Sequence, residues 1–190
     1  MSGLKEIRNR ISSVSSTMQI TNAMKMVAAS KLKKAQDSIS ATLPYSNKLS
    51  GLIQNISTSE ELLDSPFFIQ RSIKKILVVA ITSNKGLCGG FNSNVIKEVS
   101  RLIETKYVSK NVEIICIGKK GTNFISRSGL NLHASFTGIS DAPPSSSIYP
   151  ITNMIISDYT NHKTDAVYIS YATFKSTTVQ KPIVEQLIPF

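Results

Sequence analysis

The sequence predicts an α/β protein in which a long amino-terminal helix of coiled-coil type is joined to a small α/β domain. Residues 4–43 contain neither Gly nor Pro. Apolar side chains recur along their first half at alternating spacings of three and four residues, namely Leu4, Ile7, Ile11, Val14 and Met18. This spacing is typical of a helix that packs along one seam. From Lys74 onward, apolar strand-like runs alternate with helical patterns, which is typical of α/β domains.

The long helix needs contacts with other parts of a protein to be stable. At 1.5 Å per residue, the stretch from Leu4 to Leu43 would span roughly 60 Å. Its first half is rich in Ser and Thr, which form helices weakly. The seam continues through the polar residues Thr21 and Lys25, and Pro44 is expected to kink the helix or to end it. Because an apolar rhythm resumes at Leu49, we assign residues 1–57 to this element.

The rest of the chain divides into a linker and a domain. Residues 58–72 are acidic and then interrupted by Pro66, so we expect a linker with one helical turn at Glu60–Leu63. Residues 73–190 are expected to form a Rossmann-like domain of about four or five mostly parallel strands. The predicted strands are KKILVVAIT, VEIICIG, LNLHASFTG and AVYISYATFKS, with helices around Val95–Ile103, in KKGTNFISRSG and in ITNMIISDYTNH. SDAPPSSSIYP is predicted to be a loop, and VQKPIVEQLIPF closes the domain.

Composition restricts the kind of protein. The chain of 190 residues has a net charge of +10, and its first 37 residues carry seven basic side chains against two acidic ones. The helix is therefore expected to lie beside an electronegative partner. Cys88 and Cys116 are far apart and form no CxxC pair, which argues for a reducing, intracellular setting without a metal site or disulfide scaffold. The sequence has no apolar run of membrane-spanning length and no secretory signal, so neither insertion nor export is expected.

A glycine-rich loop, GLCGGFN, follows the first predicted strand. Such loops can bind phosphate at a helix N-terminus, but this spacing matches neither the dinucleotide nor the P-loop fingerprint. We therefore predict a structural turn formed by Gly86, Cys88, Gly89, Gly90 and Asn92. Asn92 or Ser93 is expected to cap the following helix, and no nucleotide contact is expected.

No residues are predicted to carry catalysis. His133 and His162 are too isolated in the sequence to form a ligand pair or a base with an orienting acid, and the acidic residues Asp141, Asp158 and Asp165 are scattered over loops and helix ends. We therefore expect no catalytic residue, metal or cofactor. Nucleic acid is also not expected as a partner, because the basic helix lacks aromatic residues and its charges are split around an apolar seam.

Four segments resemble a known family: KEIRNRI, QITNAMKMVAASKLKKAQ, SNKGLCGGFN and VQKPIVEQLIP resemble the gamma subunit of the rotary, proton-translocating F-type ATP synthase. The resemblance implies a non-catalytic central stalk that couples proton flow to ATP synthesis and regulates ATPase activity. In the family, the amino-terminal helix pairs antiparallel with a carboxy-terminal helix inside a ring of alpha and beta subunits. The α/β domain contacts the epsilon subunit and the c-ring, and the complex places the subunit peripherally at the cytoplasmic face of a bacterial inner membrane.

The resemblance also implies an interface along the helix. Lys5, Arg8 and Arg10 would face the ring, and Met24, Lys25 and Met26 would meet acidic helix-turn-helix segments of the catalytic subunits. The whole implied interface is Leu4, Lys5, Ile7, Arg8, Arg10, Ile11, Val14, Met18, Met24, Lys25, Met26, Val27 and Lys31. Family members continue beyond the position of Phe190 with the long carboxy-terminal helix, so the seam is expected to lack that partner here. The alternatives are a stand-alone coiled-coil dimer and a nucleotide-binding α/β module.

Overall fold

The computed structural model describes residues 2–56, 65–108, 110–140 and 143–190. The chain divides into two compact units, Met1–Leu52 and Ile53–Phe190, which are described separately here. The expected linker turn at Glu60–Leu63 lies outside the described residues. Within the linker range that is described, Ser65–Phe68 form a turn closed by a hydrogen bond from the Phe68 N–H to the Ser65 carbonyl, at 3.0 Å.

A single helix, α1 (Ser2–Ile56), accounts for the first unit and continues past Leu52. Pro44 lies inside α1, so of the two expected outcomes at this residue the helix does not end there. A proline removes one backbone donor and displaces the carbonyl four residues earlier, here that of Ser40. The hydrogen bonds before and after this position remain available, and the helix continues for three further turns.

The second unit is a five-stranded α/β fold, which confirms the predicted class. Its elements are β1 (Lys75–Ile81), α2 (Phe91–Lys106), β2 (Asn111–Ile117), α3 (Lys119–Ser128), β3 (Asn131–Phe136), α4 (Ser145–Thr160), β4 (Ala166–Phe174) and β5 (Gln180–Ile188). The strand order is β3-β2-β1-β4-β5. All neighbouring strands are parallel except β4 and β5, which are antiparallel.

The sheet is covered on both faces, as the continuous apolar strands require. Successive residues of β1 alternate between two core clusters. One cluster joins the sheet to α2 and α3 and contains Ile76, Val78, Ala80, Ile96, Val99, Tyr107, Ile114, Cys116, Ile125, Ala166 and Tyr168. The other joins it to α4 and contains Leu77, Val79, Ile115, Ile151, Ile155, Tyr159, Val167 and Ile188.

The loop predicted over SDAPPSSSIYP is wrong in its second half, because α4 begins at Ser145 and includes Pro150. Pro144 precedes the helix in extended geometry, and its carbonyl accepts a hydrogen bond from the Ser147 N–H at 2.9 Å. Ser and Pro disrupt helix interiors, but they suit first turns, where several N–H groups have no helical partner. The serine run therefore marks a helix start.

Candidate functional site

The candidate site is the apolar seam of α1. Its side chains are exposed, with fractional exposures from 57% at Ile7 to 78% at Leu4. We define the seam as Leu4, Ile7, Ile11, Val14 and Met18. Four of them, Ile7, Ile11, Val14 and Met18, border a shallow apolar groove together with the flanking Arg10 and Ser15. Apolar side chains repeated every 3.5 residues on a solvent-facing helix form the contact surface of a coiled coil.

The apolar spacing of the seam continues beyond Met18. Counting the same spacing onward from Met18 reaches Leu32 and Ile39, and then Leu49, Ile53 and Ile56. Ile39 and Leu49 are exposed large apolar residues, at 56% and 41%. The heptad count passes through Pro44 without a change of phase. The 3.5-residue repeat in the sequence therefore indicates the full length of the apolar seam.

Hydroxyl groups in the first half of α1 find acceptors within the helix. Thr17 Oγ1 donates to the Ser13 carbonyl at 2.9 Å, and Thr21 Oγ1 donates to the Thr17 carbonyl at 2.7 Å. Such bonds to the carbonyl four residues earlier satisfy the hydroxyl without a partner outside the helix. Thr21 can thus occupy a seam position at a smaller desolvation cost than its polarity suggests.

Basic and apolar side chains flank the seam. Lys5, Arg8, Arg10, Lys25 and Lys31 are all exposed. A second apolar patch on α1 is formed by Ile20, Met24 and Val27, at positions i, i+4 and i+7; these three residues and Met26 are more than half exposed. These spacings place the patch on a helix face different from the seam. The helix therefore presents two apolar surfaces, with Lys25 at a seam position and Lys31 one turn after Val27 on the face of the second patch.

The glycine-rich loop forms a tight turn between β1 and α2. Gly89 has a φ of +57°, which glycine adopts without strain. Leu87 has a φ of +62° and is almost fully exposed, so its side chain points into solvent from a conformation that few residues other than glycine adopt. A Cβ on Gly86 would approach the Lys120 Cε to 3.3 Å, and one on Gly90 would approach the Asn94 amide to 3.2 Å.

The expected cap by Asn92 or Ser93 is wrong, because Gly90 occupies the N-cap of α2. Asn92 instead joins the turn to the end of β1. Its Oδ1 accepts from the Ser83 N–H at 2.9 Å, and its Nδ2 donates to Ser83 Oγ at 2.9 Å and to Cys88 Sγ at 3.2 Å. A side chain with both a donor and an acceptor is required for this double role.

The two cysteines are free thiols in different environments. Cys88 is exposed on the glycine-rich loop, whereas Cys116 is fully buried in β2. Burial raises the pKa of the Cys116 thiol, although hydrogen bonding to Thr122 and Thr82 lowers it in part. The two thiols are therefore chemically distinguishable.

His133 is not isolated, contrary to the expectation from sequence. Its Nδ1 lies 2.8 Å from Glu113 Oε2, and its Nε2 lies 3.0 Å from Asp158 Oδ2. Asp158 lies near the end of α4 and is buried. Asp165 accepts hydrogen bonds from the backbone N–H groups of residues 74 and 75, as expected of a turn residue. Asp141 lies outside the described residues.

Within the described part of the chain, no helix combines the length and apolar character needed to cross a membrane.

Two features of the fold define the class of protein. One is a long helix with an exposed heptad seam, and the other is a five-stranded, mostly parallel α/β unit that ends in an antiparallel edge strand.

Comparison with known proteins assigns the family. The model of the ATP synthase family matches residues 3–190. ATP synthase gamma chains from Flavobacterium psychrophilum and Histophilus somni are 47% and 42% identical to the chain over all of its 190 residues. The chain belongs to the ATP synthase family. It spans 66% of the length of these two relatives.

Solved structures share the fold. A chain from the central stalk and c-ring of Tetrahymena thermophila mitochondrial ATP synthase is 29% identical, with a TM-score of 0.72 over 90% of this chain and 72% of that one. A rotor chain of the Euglena gracilis enzyme is 17% identical, with a TM-score of 0.60 over 96% of this chain and 62% of that one. The second likeness concerns the fold alone.

Proposed function

We propose that the chain acts in the central stalk, or rotor, of an F-type ATP synthase and couples proton flow through the membrane sector to ATP synthesis at the alpha/beta ring. The chain itself performs no catalysis in this role. The observation that carries the proposal is the exposed seam of α1, on a chain similar along its whole length to ATP synthase gamma chains.

Burial energy supports a partner for the seam. Fully covering an aliphatic side chain of this size stabilises by about 1.5 to 3 kcal/mol. All five seam residues are more than half exposed, so their burial would contribute on the order of 5 to 10 kcal/mol after allowing for the part already covered by the helix. An isolated helix rich in serine is only marginally stable in water. A second helix lying along the seam would provide the missing contacts.

Charge supports the identity of the surrounding partners. The exposed basic residues Lys5, Arg8, Arg10, Lys25 and Lys31 would face electronegative surfaces of the alpha/beta ring, with Met24, Met26 and Val27 supplying apolar contact. Electrostatic attraction between broad surfaces tolerates sliding better than interlocking side chains do. A cationic shaft can therefore occupy successive orientations inside a ring.

The α/β unit would contact the epsilon subunit and the c-ring. Through the complex, the chain would lie peripherally at the cytoplasmic face of a bacterial inner membrane. The turn formed by Gly86, Cys88, Gly89, Gly90 and Asn92 has a structural role in this proposal, because Asn92 uses both its donor and its acceptor to join the loop to β1.

Co-expression with the alpha, beta and epsilon subunits of the same organism tests the proposal. We expect an affinity tag on the beta subunit to recover the chain in a single complex. The double substitution Ile11→Ser with Val14→Ser should reduce recovery at least tenfold. Burying two aliphatic side chains contributes more than about 1.4 kcal/mol, the free energy that corresponds to a tenfold change in a dissociation constant.

A matched control changes the opposite face of the same two helical turns. Asn9→Ser with Ser16→Ala should leave recovery within twofold of the unchanged chain, because these positions lie away from the seam. If no complex forms, either with this chain or with the chain extended to the length of its relatives, the rotor assignment is wrong. A stable dimer of the purified chain in sedimentation, insensitive to the other subunits, would instead favour the coiled-coil alternative.

A further inference from the structure

The segment that leads into β1 is fastened to the α/β unit before the strand begins. We call residues 67–73 the entry strap. Phe67 stacks on Tyr159 of α4, with ring centroids 5.8 Å apart, and packs against the core cluster on the α4 side. Ile73 packs against the other core cluster, on the α2 and α3 side. The entry strap therefore crosses from one face of the sheet to the other at the end where β1 begins.

The entry strap also binds the carboxyl end of α4. The last turn of α4, residues 157–160, has no basic side chain of its own. Arg71 Nη1 donates to the Tyr159 carbonyl at 3.1 Å, and the Arg71 guanidinium lies 4.6 Å from the centre of the Tyr159 ring. A cation at this end of a helix interacts favourably with the terminal carbonyl groups, and a guanidinium also attracts an aromatic ring. Arg71 therefore holds α4 through two kinds of contact.

Both ends of the entry strap are tied to residues far away in the sequence. At its start, the Phe67 carbonyl accepts a hydrogen bond from the Phe190 N–H at 2.8 Å, and the Phe68 ring lies 5.5 Å from the Phe190 ring. Just after its end, Asp165 Oδ2 accepts from the backbone N–H groups of residues 74–75, at 2.8 and 2.9 Å. The strap is thus fixed along its whole length before β1 enters the sheet.

Tension carried along the backbone from α1 to β1 passes through this strap. The two elements are joined by residues 57–74, and the entry strap is part of that path. β1 lies between β2 and β4 and is parallel to both, with residues 76–80 buried in the core. Displacing β1 would break hydrogen bonds on both of its sides. Because the strap contacts precede β1, tension from the amino-terminal side loads them first.

We propose that the entry strap is a mechanical anchor, which holds tension arriving from α1 before that tension reaches β1. The proposal rests on the rotor function proposed above, in which the long helix and the α/β unit have to turn together. Phe67, Phe68 and Arg71 carry the load, because their contacts lie on α4 and at Phe190 rather than in the sheet's hydrogen-bond ladder. The central strand is thereby protected from forces on the shaft.

Force spectroscopy of the whole 190-residue chain in an optical trap tests the proposal. DNA handles are attached at Ser50→Cys in α1 and at Thr177→Cys after β4. Cys88→Ser removes the exposed natural thiol, and the other natural thiol is buried. Since β1 is parallel to β4 and residue 177 follows the carboxyl end of β4, the pull shears β1 along its neighbour. Shear loads many ladder hydrogen bonds at once, so the sheet should resist longer than the strap.

We expect two separate steps as the force rises. The first is a short, reversible extension of at most about 30 Å, because residues 67–74 can extend by up to about 3.6 Å each. The second is cooperative unfolding of the sheet. Phe68→Ala with Arg71→Ala should raise the opening equilibrium constant of the first step at least tenfold at a fixed force, because a ring contact, a cation–π contact and a hydrogen bond are lost. The force of the second step should not change.

A matched control removes the same two residue types from the exposed face of α3. Phe124→Ala with Arg127→Ala should leave the first step as it is in the chain with natural residues at these positions. Arg71→Lys alone keeps the charge but loses the planar guanidinium, so its opening constant should lie between those of the natural strap and the double variant.

A single unfolding step in the chain with the natural strap would overturn the proposal, and this result needs no strap variant to fold. An opening constant that is the same with and without Phe68 and Arg71 would also overturn it. The measurement uses the purified chain alone. Failure to form a complex with the ring subunits and absence of the short step are therefore separate results, the first against the rotor function and the second against the anchor.

Discussion

Replacing Gly121 by Ala should destabilise the α/β unit, because α3 begins against β1 and β2 with no space for a side chain. Gly121 is the third residue of α3. A Cβ at this position would lie 2.5 Å from Thr82 Oγ1, 2.6 Å from Thr82 Cγ2 and 2.7 Å from Cys116 Sγ. All three distances are far below ordinary contact. Both neighbours are buried, so neither can rotate into solvent.

The magnitude follows from three contributions. Overpacking a core by one methyl group costs about 1 to 3 kcal/mol. Moving α3 away would also weaken the hydrogen bond from the Gly121 N–H to Thr82 Oγ1, now 3.0 Å long, which is worth about 1 kcal/mol. Ala is a better helix former than Gly, and this offsets up to about 1 kcal/mol. The expected net loss is about 1 to 3 kcal/mol, or roughly 5- to 150-fold in the unfolding equilibrium constant.

Urea unfolding followed by tyrosine fluorescence measures this loss. The midpoint should fall while the denaturant slope stays unchanged. Thr82→Ala in the same chain removes both of the nearest Thr82 atoms, so the double variant should lose less than the sum of the single losses. Gly51→Ala is the control, because a Cβ at Gly51 in α1 would meet nothing within 4 Å. A midpoint for Gly121→Ala equal to or above that of the unchanged chain would refute the packing argument.

Three further outcomes are expected. Tyr159→Phe should leave stability unchanged or raise it by up to about 1 kcal/mol, because the buried hydroxyl has no hydrogen-bond partner among the described residues. The stacking of the ring on Phe67 and on the Arg71 guanidinium can persist. A loss of stability above about 1 kcal/mol in urea unfolding would contradict this prediction. Burial raises the pKa of Tyr159 above that of the unfolded chain, so stability present below about pH 10 should decline above it, and less steeply in Tyr159→Phe. With a disulfide exchange reagent, one thiol should react fast in the folded chain and two after unfolding, because Cys88 is exposed and Cys116 is buried; two fast thiols would disprove the burial of Cys116.

Elements with a strong period were predictable from the sequence. The seam of α1 repeats every 3.5 residues, and the strand Lys75–Ile81 has a continuous apolar run after its first residue, with residues 76–80 buried. Each of these signals is local, because the spacing of side chains along a helix or strand determines which of them share a surface. The antiparallel edge strand β5 had no comparable signal, and its orientation follows from its pairing with β4.

The cluster at His133 was not predictable. Its three members lie at positions 113, 133 and 158, and no spacing relates them. They meet because β2 and β3 are neighbours, because a bulge adds one residue to β3, and because α4 returns across that face of the sheet. The role of Asn92 was likewise not predictable. Its partner Ser83 lies on the other side of a turn whose conformation cannot be derived from the sequence.

By itself, the sequence determined the long helix, the seam along it, the class of the α/β unit and the family resemblance, since all of these depend on periodicity or on contiguous motifs. Tertiary structure alone decided the contacts between distant residues: the histidine between two carboxylates, the buried Tyr159 hydroxyl without a hydrogen-bond partner among the described residues, and the closed space at Gly121. The physical reason is that such contacts join residues far apart in the chain, and their distances depend on strand register and helix placement rather than on local spacing.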